Sequence, residues 1–179
     1  IKNIQGEDLI DEISSSYHRE GIENTMIVTR SNKRANIYNQ GIRNRILWRE
    51  EELSSGDLLM ISKNNYFWTE KIEGLDFLAN GEIVKVRRVR NVQELFGFRF
   101  CDVELISLDT EIEFTAKINL DSLHSETASL SREDEEKLFA NVMIDYEHIS
   151  TKGARMKELK IDPFFNALQV KFAYAITCH

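Results

Sequence analysis

The chain has 179 residues, 42% hydrophobic and 30% charged, with a formal net charge of −7. That is enough for one core of moderate size or two small ones, and the acidic balance argues against a protein that coats nucleic acid generally, though a local basic groove remains open. No run reaches the ~20 apolar residues of a membrane span, and Cys101 and Cys178 lie on apolar runs without metal-ligand spacing, as reduced thiols of a cytoplasmic protein would.

In chain order, residues 6–19 predict a helix: Glu7 and Asp8 suit its first turn, Leu9, Ile10, Ile13 and Tyr17 share a face, and Gly21 stops it. Thr25 to Thr29 is a short β-branched run that reads as a buried parallel strand. Ser31 or Asn32 then caps a helix to about Leu47, with Ala35, Tyr38, Ile42 and Ile46 as its apolar stripe. Strand, polar turn and helix make half of an α/β unit, whose ligands meet the loops at the carboxyl ends of the strands.

From Asp57 the period changes to two. Strands are predicted over 57–62, 82–90, 98–107 and 111–118, with Lys63-Asn-Asn65 as a turn. Short strands at this spacing indicate a small antiparallel barrel or sandwich. Ser131-Arg-Glu-Asp134 opens a helix over 132–148, residues 151–161 read as a polar connector, and the single proline, Pro163, precedes a terminal strand from Leu168. On that strand Val170, Phe172, Tyr174 and Ile176 share a face. The abrupt end after this run, and an N-terminus without Met or signal peptide, create the expectation of a piece of a longer polypeptide.

Four stretches carry a resemblance. Ala173-Tyr-Ala-Ile-Thr-Cys-His179 resembles the start of the A-Y-A-x-T-x-H-K-x-Q-G motif near the C-terminus of superfamily 1 DNA helicases of the RecD/UvrD type. Thr29, Asn32, Ala35 and Asn39 fill the fixed positions of the T-x-x-N-x-x-A-x-x-x-N segment in the second RecA-like domain of that family. Gly56 to Tyr66 and Ala79 to Val86 are similar to G-D-x-V-x-x-x-x-N-x-Y and x-N-G-x-x-G-x-V in the SH3-like barrel inserted in RecD-type enzymes, with Leu59 replacing the first valine and Val84 the second glycine.

The resemblance implies an α/β fold: a partial RecA-like parallel sheet with an inserted SH3-like β-barrel. Its parts would be residues 1–53, the barrel 54–128, and a returning helix and strand 129–179. It implies that Arg30, Ser31, Asn32, Lys63, Asn64, Thr177 and His179 touch single-stranded DNA, Thr177 by donating to a phosphate. A helix N-terminus beside Arg30, Ser31 and Asn32 suits phosphate chemistry, although the same residues also read as a simple cap and a solvated arginine. The chain contains no G-x-x-x-x-G-K-[ST] loop. ATP and magnesium would therefore belong to an N-terminal RecA-like domain of the same polypeptide, and this piece alone would bind no cofactor and catalyse nothing.

Lys85, Arg87, Arg88, Arg90 and Arg99 form the densest basic cluster. Strict alternation spreads its charge over both strand faces, so it reads either as a blunted edge strand or as a phosphate-facing surface, with Tyr66, Phe96 and Phe98 as stacking groups or as core. Two other classes remain open. One is a non-enzymatic β-barrel that binds a protein through an exposed apolar groove. The other is a metal-dependent nuclease using Asp102 and Glu104, although these carboxylates and the scattered His18, His124, His148 and His179 lack a metal-site pattern.

Overall fold

Helix α1 (Leu9–Glu20), strand β1 (Ile27–Thr29) and helix α2 (Asn32–Arg45) come first. Strands β2 (Leu58–Ile61), β3 (Ile83–Leu95), β4 (Phe98–Ser107) and β5 (Glu113–Asn119) follow. Helices α3 (Asp121–His124), α4 (Arg132–Asp145) and α5 (Lys152–Ile161) lead to β6 (Val170–Phe172) and β7 (Ala175–Thr177). The structure, a computed structural model, describes residue 6 and residues 8–177. Among these, no helix is long and apolar enough to cross a membrane.

The described residues form two compact units, with boundaries at 52/53 and 171/172. The second boundary lies well beyond residue 128, where the sequence suggested a return to the first unit. The reason is the packing of α4 and α5. Phe98 and Phe100 of β4 form a core cluster with Leu130, Leu138, Val142, Leu159 and Ala167, ringed by Phe96, Met143, Met156 and Phe164.

The fold is mixed α/β. In the first unit β1 pairs with β7 in parallel, Ile27 opposite Ala175 and Thr29 opposite Thr177. In the second, an antiparallel sheet has the order β5-β4-β3-β2-β6. It does not close into a barrel. Ile118 of β5 and Leu168, ahead of β6, form an isolated parallel bridge, with Leu168 N donating to Lys117 O at 2.7 Å and Asn119 N to Leu168 O at 3.0 Å.

Burial on β4 explains this arrangement. Cys101, Val103, Leu105 and Ser107 are buried on one face, whereas Phe98 and Phe100 turn to the other, where the helical cluster covers them. The β3–β4 turn is the two-residue pair Phe96-Gly97, between the opposed residues Leu95 and Phe98. Both turn residues have positive φ, 57° and 74°, as the primed hairpin turns require.

Three expectations need correction. The stretch 151–161 is helix α5, capped by Thr151 Oγ1, which accepts from Ala154 N at 3.3 Å. Leu159 is the one fully buried residue in it, too sparse a stripe to announce a helix. The terminal run is two strands: β6 joins the five-stranded sheet and β7 joins β1, with Ala173 and Tyr174 between them. Finally, Lys85, Arg88 and Arg90 lie on one face of β3 instead of being split between two. A bulge between Val86 and Arg88 shifts the phase, so that Val89 follows Val84 and Val86 on the face opposite Val103 and Leu105. Arg88 and Arg90 turn out, opposite Glu104 and Asp102.

Candidate nucleic-acid interface

Parallel pairing puts the carboxyl ends of β1 and β7 side by side, so the residues after Thr29 and those at Thr177 meet at one edge. Thr29, 9% exposed, donates its hydroxyl to Ser31 O at 3.1 Å and Ile176 O at 3.2 Å, which folds the strand end into the helix cap. Ser31 is the N-cap of α2, its Oγ accepting from Arg34 N at 3.3 Å. Across the edge, Thr177 Oγ1 donates to Asn32 Oδ1 at 3.0 Å, joining two motif stretches that lie 145 positions apart; its one hydroxyl proton thus goes to Asn32 and not, as expected, to a phosphate.

Asn39 holds this edge in place from beneath. Only 2% exposed, it donates from Nδ2 to Phe172 O at 3.0 Å and Ala175 O at 2.9 Å, and accepts from Ala175 N at 2.8 Å. These are the backbone groups left open where β6 breaks into β7, so one side chain satisfies the break and ties α2 to β7. One turn further along α2, buried Arg43 lies over the Phe172 ring at 4.3 Å and donates to Glu51 O at 2.6 Å.

The electrostatics of the edge are positive. The first turn of α2 has no acidic residue, and Arg30, Lys33 and Arg34 are exposed without an ion pair among the described residues. Lys33 and Arg34 were absent from the sequence-derived site. Their signal was available, since two consecutive cations followed the predicted cap. The helix N-terminus adds its own partial positive charge. With its oxygen engaged by Thr177, Asn32 retains two Nδ2 protons for an anion.

The other expected contacts are placed elsewhere. His179 lies outside the described residues. Lys63 and Asn64 belong to the second unit, where they line a cleft of about 490 Å³ with Glu135, Leu138, Phe139 and Phe165. Lys63 Nζ is paired with Glu135 Oε1 at 2.5 Å, and Asn64 Oδ1 accepts from Asn80 N at 2.7 Å. Burial works to raise the Glu135 pKa. Hydrogen bonds from Lys63 and Gln169, with the charge of Lys63, outweigh it and hold the carboxyl below its ordinary range.

The four arginines of the basic cluster meet carboxylates. Arg87 meets Glu113 at 3.1 Å, Arg90 pairs with Glu104, and Arg99 meets Asp121 at 2.7 Å. Asp102 is bound to Lys117 at 2.5 Å and accepts from Asn91 at 2.9 Å. Of the three aromatics, Phe96 and Phe98 belong to the helical cluster, whereas Tyr66 is 62% exposed. Compared with models of known protein families the chain matches none, and no curated protein matches it.

Proposed function

We propose that this chain is part of the second RecA-like domain of a superfamily 1 DNA helicase of the RecD/UvrD type. In this reading the five-stranded sheet is its SH3-like insertion, and the edge formed by Arg30, Ser31, Asn32 and Thr177 grips the backbone of single-stranded DNA. The observation that carries the reading is the hydrogen bond from Thr177 to Asn32. It unites, at the carboxyl ends of adjacent parallel strands, the two stretches that resemble DNA-contacting motifs.

The chemistry suits a phosphate. Exposed Arg30, Lys33 and Arg34 supply charge, the first amides of α2 supply directional donors, and the Asn32 amide adds two more. Contacts of this kind position a strand without reading its sequence, as a translocating motor requires. ATP and magnesium would act on the N-terminal RecA-like domain of the same cytoplasmic polypeptide. This chain would contribute grip and coupling, with no catalytic residue of its own.

The test is equilibrium binding of a labelled oligothymidylate to the whole chain over a salt series. Arg30→Ala weakens binding and lowers the slope of log affinity against log salt by about 0.7, the value for one phosphate contact on a single strand. Thr177→Val weakens binding without changing the slope. Native affinity in both variants, or no binding by the parent chain, discards the reading.

A further inference from the structure

The segment between β2 and β3 is an ordered excursion with an aromatic pair at its base. Asn65 and Leu78 close it by mutual backbone hydrogen bonds of 2.9 and 2.8 Å, and Asn65 Oδ1 also accepts from Phe67 N and Trp68 N. A second tie follows, from the hydroxyl of buried Thr69 to Asp76 O at 3.1 Å. Leu75 and Leu78, 4% and 0% exposed, anchor the segment inward. Tyr66 and Phe77 flank the closing bridge and stack on each other, ring centroids 5.0 Å apart and planes 19° from parallel. Yet they remain 62% and 38% exposed.

Two large rings held rigid and left to solvent form a stacking surface. The charge of the segment that carries them decides what they fit. Residues 66–77 carry Glu70, Glu73 and Asp76 against one cation, Lys71. All four are exposed, and none of the four joins an ion pair among the described residues. This field repels a phosphate chain, so the rings do not suit a nucleic acid. It attracts a guanidinium, which stacks flat on an aromatic face and forks onto a carboxylate.

We infer that Tyr66 and Phe77, with Asp76 and its neighbouring carboxylates, form a docking surface for an extended, arginine-bearing segment of a protein partner. The surface lies in the second unit, and the inference stands independently of the DNA reading.

The test titrates the whole chain with the acetylated peptide Gly-Ser-Arg-Gly-Ser-Arg-Gly-Ser while following the ring protons of Tyr66 and Phe77 by NMR. The expected result is a saturable shift of both rings, with affinity lowered about tenfold in Tyr66→Leu, which keeps apolar bulk but removes the ring. Asp76→Asn weakens binding about threefold, and replacing arginine by lysine in the peptide weakens it several-fold. The absence of a shift, native affinity in Tyr66→Leu, or tighter saturation of the same rings by oligothymidylate would overturn the proposal.

Discussion

Lys171 is 7% exposed, and its ammonium donates to Ser125 O. Burial disfavours the charged form and pulls its pKa down to about 8. The unfolded chain holds this proton up to about pH 10.4, so between the two values unfolding takes up a proton and stability rises with pH. Below pH 8 the burial penalty is fully present. Lys171→Met should therefore raise the melting temperature at pH 7, with a gain that shrinks as pH climbs past 8 and is gone near 11. A gain independent of pH in thermal melts would contradict this account. Asp102 has the opposite sign. Burial raises it, but hydrogen bonds from Lys117 and Asn91, with the charge of Lys117, hold it below its ordinary value. Its contribution is present above about pH 4 and is lost as acid titrates the folded carboxyl.

At the scale of elements, two short devices set the geometry. Asn39 serves the break between β6 and β7 through three hydrogen bonds. Asn39→Ala strands two carbonyls and an amide in a buried setting and should cost about 2–3 kcal/mol in urea unfolding. Asn39→Asp should rescue little, because a carboxylate cannot donate to the two carbonyls. The Phe96-Gly97 turn is the other device. Gly97 has φ 74°, and an added Cβ would lie 3.3 Å from Lys137 Cε. Gly97→Ala should cost about 1 kcal/mol, most of it backbone strain, since the lysine tip can move aside. A neutral result would mean that the turn relaxes to another type. The bulge at Arg87 belongs with these devices. It sends Arg88 and Arg90 outward to Glu104, which is a structural use for two members of the basic cluster.

At the scale of the whole molecule, the two units have separate cores: Ile13, Tyr17, Ala35 and Ile42 are buried in one, and the two faces of β4 in the other. Local perturbations should stay within their unit. Hydrogen exchange on Asn39→Ala should speed amides of 27–29 and 175–177 while leaving 100–105 at native protection. Exchange that accelerates equally in both sets would show a single cooperative block instead.

The sequence by itself determined what local rules govern. The period of two placed β2 to β5, the Ser31 and Ser131 caps placed the starts of α2 and α4, and a β-branched run placed β1. The resemblance of two stretches indicated Arg30, Ser31, Asn32 and Thr177, which the structure brings to one strand edge, although β1 itself leaves Val28 58% exposed. Only the tertiary structure decided the rest. The break at Ala173 depends on Asn39, more than a hundred positions away; α5 is held mainly by Leu159 in a core built by other elements; and the phase of β3 turns on one bulge. These are long-range hydrogen bonds, burial and register, which a local pattern of residue types does not encode. For the same reason Lys63, predicted to contact nucleic acid, is paired with Glu135: its neighbour in space is no neighbour in sequence.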